Sequence, residues 1–115
     1  MKTLLVMPDF CCTGLWMCDS SDLRKHDMVD FEDLCSEGIL LPYDLYQESL
    51  EWIKDYDTSH DRENYVFIKE EDWKRTYQTG ITIANRIKGV VKETIAVHFW
   101  MEGFKSDEFF KMEIK

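Results

Sequence analysis

Three segments of the chain have the hydrophobic pattern of β-strands. Residues 3–7 are mostly apolar and end at Pro8, which is typical of a short buried strand. Residues 94–101 are β-branched and aromatic with apolar side chains on both faces, which predicts a central strand. After a turn, residues 108–114 alternate apolar and charged positions, the pattern of an antiparallel edge strand with one solvated face.

Two further segments repeat their apolar residues every 3.6 positions, as amphipathic helices do. The first follows Pro42, a residue favoured in the first helical turn, and runs from Tyr43 to about residue 57. Its apolar face holds Leu45, Ser49, Trp52, Ile53 and Tyr56.

The second predicted helix covers residues 70–88, with acidic residues in its first turn and basic residues in its last, as the helix dipole favours. Gly89 is the expected C-cap. Gly80 and Ala84 lie on the apolar face, where their small size lets the sheet or a second subunit approach closely.

The remaining segments lack a sustained period. Residues 8–40 are predicted to form a long surface excursion, with a short helical turn near residues 31–34, and residues 58–64 a polar loop. The predicted order is strand, loop, helix, helix, strand, strand. This order indicates an α+β fold in which two helices cover a small single-layer β-sheet, antiparallel or mixed. The length of 115 residues and the absence of a linker predict one domain over residues 1–115.

The composition excludes several classes of function. The chain has 14 Lys and Arg against 23 Asp and Glu, a formal net charge of -9. The excess lies in residues 1–64, which carry 15 acidic and 5 basic side chains. This balance argues against binding to nucleic acid or to an anionic membrane, and it favours a basic protein partner.

The cysteines and the apolar runs indicate a cytoplasmic protein. No apolar run approaches the roughly 20 residues that span a membrane, and the first residues do not have the pattern of a secretory signal. Cys11, Cys12, Cys18 and Cys35 lack the paired spacing of a zinc site. We therefore expect free, reduced thiols.

The sequence gives little support to catalysis or to a cofactor. It contains no nucleophile elbow and no glycine-rich phosphate loop. His26 and His60 fall in polar segments and His98 in a predicted strand. His60 and Asp61 near Asp55 and Asp57 resemble a metal cluster only in composition, and solvated charge is the more frequent explanation. We expect no enzyme, no metal and no cofactor.

One group of residues stands out from this background. The first helix carries four carboxylates at positions i, i+4, i+7 and i+11, which we call the acidic row: Asp44, Glu48, Glu51 and Asp55. We expect the row to lie away from Trp52 and Ile53, with an acidic extension from the preceding segment at Asp30, Glu32, Asp33 and Glu37. Like charges at this spacing destabilise an isolated helix. The row therefore predicts either an ordinary solvated face or a recognition surface, with Tyr43 as an aromatic anchor.

Several loose motifs resemble a known family. They are Asp9-x-x-Cys12-x-Gly14-Leu15-Trp16, Leu41-Pro42-x-x-Leu45, Trp52-x(3)-Tyr56-Asp57 and Gly80-x(3)-Ala84. Their order over residues 1–99 is similar to that in a family of short bacterial proteins. Some members of that family resemble immunity proteins encoded beside polymorphic or contact-dependent growth inhibition toxins. The chain departs from the pattern at residues 26–37, in the polar segment after Asp57 and in its last strand.

The resemblance implies an inhibitor of a cognate toxin and carries over no catalytic residues. Together with the acidic row, it predicts an immunity protein that binds a basic toxin domain, with a nuclease as the expected class. Two alternatives remain open: an acidic mimic of DNA that inhibits nucleic-acid-binding proteins, and a small enzyme that uses His60 and neighbouring acids.

Overall fold

The computed structural model describes residues 2–19, 22–61 and 63–115. Within these ranges the chain forms seven strands and three helices. In chain order they are β1 (Thr3–Val6), β2 (Leu15–Cys18), β3 (Asp27–Met28), α1 (Phe31–Ser36), α2 (Tyr43–Thr58), β4 (His60–Asp61), β5 (Val66–Phe67), α3 (Glu70–Val90), β6 (Ala96–Glu102) and β7 (Phe109–Ile114).

Five strands form a mixed sheet in the order β3-β2-β1-β6-β7. Strand β1 runs parallel to β6, and the other neighbours are antiparallel. Strands β4 and β5 form a separate two-stranded hairpin. The expected α+β class with a mixed sheet is confirmed. Strand β6 is central and β7 lies at the edge, as their patterns predicted.

The prediction of a long excursion over residues 8–40 is wrong where this segment forms β2 and β3, whereas the short helical turn expected near residues 31–34 is confirmed as α1. Strand β2 pairs antiparallel with β1, so that Val6 lies opposite Leu15. Gly14 makes the connection possible with a backbone φ of +82°, which side chains other than glycine rarely adopt. Strands of two and four residues are too short to show a period; pairing with β1 stabilises β2, and pairing with β2 stabilises β3.

The two long helices begin where their sequences predicted. Six residues of α2 are buried: the five expected ones and Tyr46. Helix α3 has three acidic residues in its first turn and Lys88 in its last. Gly89 is not the C-cap, since the helix continues through Val90 and Val91 is its C-cap.

The core lies between the helices and one face of the sheet. Gly80 of α3 sits where a Cβ atom would be 2.5 Å from a ring atom of Phe99 and 2.6 Å from one of Trp52. The missing side chain of Gly80 therefore lets α3 approach both β6 and α2 closely. Of the two neighbours expected for this face of the helix, the sheet is the one that it packs against. A smaller cluster on the other face of the sheet contains Leu5, Met7 and Cys18. No helix in the described part of the chain is long and apolar enough to cross a membrane.

Candidate functional site

The acidic row lies along α2 at its border with α3. Asp44 and Glu51 are exposed, and Glu48 and Asp55 are half-buried. Glu48, Glu51 and Asp55 line an open groove of about 440 Å³, whose wall includes Trp52 and Ile83. The expectation that the row faces away from Trp52 is therefore wrong. The row is centred about 70° around the helix from Trp52, and α3 packs along that boundary.

Two arginines of α3 neutralise half of the row. Arg75 donates two hydrogen bonds to Asp55, from Nη2 to Oδ1 at 3.0 Å and from Nε to Oδ2 at 3.2 Å. Its Nη1 also donates to Oδ1 of Asp72 at 2.7 Å. The hydrogen bonds to Asp55 and Asp72 raise the pKa of Arg75. Arg86 forms an ion pair with Glu48. Basic residues thus interleave with the acids of the row, and they come from another helix.

The acidic extension before α2 is divided between structural and exposed residues. Asp30 is the N-cap of α1, where its Oδ1 accepts the Asp33 N–H and the Asp33 carboxylate accepts the Asp30 N–H. Glu37 pairs with Lys2, and the hydrogen bond to Glu37 raises the pKa of Lys2. Glu32 is exposed in the first turn of α1. Three of these four carboxylates therefore hold local structure together.

An aromatic cluster joins the start of α1 to the start of α2. The ring of Phe31 meets Tyr43 edge-on at 5.0 Å between centroids and Tyr46 at 5.5 Å. Tyr46 is buried, whereas 55% of the surface of Tyr43 is exposed. Asp44 follows Tyr43, and Asp30 and Asp33 lie close enough to Tyr46 to act on its phenol. The cluster joins the exposed ring of Tyr43 to Phe31, which precedes Glu32 in α1. We call Tyr43, Glu32, Asp44 and Glu51 the acidic patch.

A second polar site lies at the far end of α2, and the sequence analysis missed its character. His60 is not an exposed loop histidine, because only 1% of its side chain is accessible. It packs against Phe10, Tyr56 and Phe67, with ring centroids 3.9–5.0 Å away. Its carboxylate partner is Glu102, which is 42 residues distant in the sequence. A local sequence pattern therefore could not indicate this contact.

Both ring nitrogens of His60 lie close to oxygen atoms of the protein. Nδ1 lies 2.6 Å from the carbonyl oxygen of Tyr56, which only accepts, so Nδ1 donates. Nε2 lies 3.3 Å from Oε1 of Glu102, which already accepts the hydroxyl of Tyr56 at 2.7 Å. Glu102 therefore lies between the phenol of Tyr56 and the ring of His60.

This site adjoins two open cavities. One, of about 690 Å³, is lined by Tyr56, Phe67 and Glu102, with Tyr65, Lys105 and Phe109 among the other residues. The other, of about 330 Å³, shares Tyr56, Glu102 and Phe109. Burial and the carboxylate of Glu102 raise the pKa of the Tyr56 phenol, so this hydroxyl stays protonated and donates. The indole N–H of Trp73 donates to the backbone oxygen of Glu102 at 2.8 Å and fixes the end of β6.

The four cysteines are unpaired, as expected. Burial raises the pKa of the Cys12 thiol to about 11 and that of Cys18 in the same direction, which disfavours the thiolate needed for nucleophilic attack or metal binding. Among the residues that the structure describes, no three His, Cys, Asp or Glu side chains are placed to hold a metal ion.

Comparisons with known proteins leave the resemblance unsupported by an independent match. No protein-family model matches the chain, and the search of curated proteins finds no significant relative.

Proposed function

We propose that the protein is a cytoplasmic immunity-type inhibitor that binds a basic toxin domain, with a nuclease as the expected class. The observation that carries the proposal is the acidic patch, in which the half-exposed ring of Tyr43 packs on Phe31, the neighbour of Glu32 in α1, and precedes Asp44 in α2. Exposed tyrosines are frequent binding hot spots, and their faces attract guanidinium and ammonium groups. A surface of this kind suits the basic active site of a nuclease, which must attract phosphate.

The ion pairs indicate which acids would contribute most to such an interface. Glu48 and Asp55 would have to leave their arginines before they could bind a partner. Among the described residues, neither Glu32 nor Glu51 takes part in an ion pair, and both are exposed. We therefore place the main electrostatic contribution at Glu32, Asp44 and Glu51. Glu48, Asp55, Asp30, Asp33 and Glu37 would act mainly by shaping the surface.

The long-range field supports the same proposal. A net charge of -9 accelerates encounter with a cationic partner and slows encounter with nucleic acid. Because exposed charges act through solvent, this steering weakens as ionic strength rises. Binding to the toxin should accordingly depend on salt mainly through the association rate.

The test is co-expression with the toxic domain encoded beside this chain, followed by calorimetry with the purified domain. We expect the chain to restore growth and to bind one-to-one. Tyr43→Ala should weaken binding by about tenfold or more, as hot-spot truncations do. Glu51→Lys should weaken it by about threefold to tenfold, mainly in the association rate.

Two matched variants control for general effects of the same substitutions. Tyr65→Ala removes a tyrosine that is 66% exposed but lies beyond β4, and Glu93→Lys reverses an exposed charge beyond the end of α3. Both should bind as the unmodified chain does. Equal losses in all four variants, or no rescue of growth, would overturn the proposal. Binding to many unrelated nucleic-acid-binding proteins would favour the DNA-mimic alternative instead.

The enzyme alternative rests on a different observation, the 3.3 Å contact between Nε2 of His60 and Oε1 of Glu102 beside a cavity. With its side chain 23% accessible, Glu102 would be the residue that contacts a substrate, since His60 is enclosed. Glu102→Gln keeps the shape and removes the acid. If this variant protects cells from the toxin as well as the unmodified chain does, proton transfer has no part in the function.

A further inference from the structure

Strand β7 leaves one edge of the five-stranded sheet open. It pairs with β6 on one side, and no described strand lies on the other. The strand is six residues long and contains neither proline nor glycine. An edge of this kind presents unpaired backbone N–H and C=O groups that favour pairing with another strand.

The side chains of β7 add exposed apolar surface to this edge. Phe109 is 46% exposed, and Phe110 is 49% exposed although it lies on the face of the sheet that α3 covers. Phe110 contacts Trp73 and Tyr77 of α3, which cover only part of its ring. Half-exposed phenylalanines on both faces of one strand are surface that a neighbouring strand would bury.

We propose that β7 pairs antiparallel with β7 of a second copy of this chain, about a two-fold axis that passes through Met112. The two five-stranded sheets would join into one continuous sheet of ten strands. The proposal concerns self-association and does not depend on the acidic patch, to which β7 contributes no residue.

The register follows from the symmetry and the charges. A two-fold axis perpendicular to the sheet keeps each side chain on its own face, so a residue must lie opposite one of the same face. Two registers that meet this condition keep five residues of the strand paired, one centred on Lys111 and one on Met112. The first places Lys111 against its own copy. The second places Lys111 opposite Glu113 twice, and Phe110 opposite Ile114.

The local geometry suits the second register. The Nζ atom of Lys111 lies 4.3 Å from the centre of the Trp100 ring, and Glu113 lies 3.9 Å from His98, so both charged side chains stand on the same face of the sheet. Directly opposed residues on antiparallel strands have Cβ atoms about 4.5–5.5 Å apart. On this face each Lys111 would therefore lie directly opposite Glu113 of the other copy.

The experiment measures molecular mass in solution by sedimentation over a range of protein concentrations. We expect a reversible monomer–dimer equilibrium. Lys111→Glu and Glu113→Lys each turn two attractive pairs into repulsive ones, and each should weaken the dimer by about tenfold to a hundredfold. The double variant K111E/E113K restores opposite charges and should restore the dimer. The double variant lacks the contact of Lys111 with Trp100, as K111E does. Recovery of the dimer in the double variant would therefore come from the charge pairs between the two copies.

A cross-link tests the position of the axis. In a chain whose exposed Cys11 and Cys35 are replaced by serine, Met112→Cys should form a disulfide between copies under mild oxidation. A chain that stays monomeric at every concentration would overturn the proposal and make Lys111 a residue that protects the edge. A dimer that survives both single reversals, or one in which the Met112→Cys variant does not cross-link, would also overturn it. Circular dichroism verifies that each variant is folded.

Discussion

Two glycines of α3 provide a matched test of how the helix packs. Gly80 is buried, and an added Cβ would lie 2.5 Å from Cε1 of Phe99 and 2.6 Å from Cζ2 of Trp52. Neither ring can move away easily. Phe99 is fully buried in the central strand, and the indole N–H of Trp52 donates to the backbone oxygen of Thr76 at 2.9 Å. Gly89 lies in the same helix with nothing within 4 Å of its would-be Cβ.

The same substitution should therefore have opposite effects at the two positions. Alanine is favoured over glycine in a helix by about 1 kcal/mol, which should stabilise Gly89→Ala by about 0.5–1 kcal/mol. At Gly80 the same gain is opposed by overpacking, which costs about 1–3 kcal/mol and more where two rings are pressed at once. We expect Gly80→Ala to lower the free energy of unfolding by about 1–2 kcal/mol.

The assay is urea unfolding followed by tryptophan fluorescence and by circular dichroism. The two alanine variants should move the midpoint in opposite directions without changing the slope. A G80A variant as stable as the unmodified chain would refute the argument that Phe99 and Trp52 form a rigid wall. A G89A variant that is less stable would refute the assignment of Gly89 to an exposed position inside the helix.

Three further predictions concern buried polar groups and thiols. Tyr56→Phe should lower the free energy of unfolding by about 1–2 kcal/mol, measured with urea, because Oε1 of Glu102 loses its 2.7 Å hydrogen bond; an unchanged midpoint would contradict this role. The pKa of Cys12 is raised from 9.0 to about 11, so the unfolded chain loses this proton first and stability should fall as the pH rises from about 9 to about 11. Cys12→Ala should remove up to about 2 kcal/mol of that fall, and an identical pH profile in both chains would count against the shift. At pH 8, a thiol-specific reagent should modify exposed Cys11 and Cys35 well before Cys12, as mass spectrometry of the digested protein would show, and equal rates would contradict the burial of Cys12.

Local patterns in the sequence were sufficient to locate the longer elements of the fold. The 3.6-residue period located α2 and α3, and Pro42 and the acidic first turn of α3 marked their starts. The runs of apolar and β-branched residues located β1, β6 and β7. These predictions hold because an element that buries one face must repeat its apolar residues with its own period.

The choice of partners, in contrast, depends on how the elements pack in three dimensions. Strands β2 and β3 are too short to show a period; β2 is stabilised by pairing with β1 and β3 by pairing with β2. His60 stands in a polar stretch of sequence, yet β5 and Glu102 enclose it.

The acidic row illustrates the same limit for charges. Along the chain it has no basic neighbours apart from Lys54, and the folded protein supplies Arg75 and Arg86 from α3. A helical period fixes the direction of a side chain relative to its own helix, whereas its partner depends on how distant segments pack. Contacts across 20 to 46 residues, such as Arg75 with Asp55 and Tyr56 with Glu102, therefore left no trace in the local pattern.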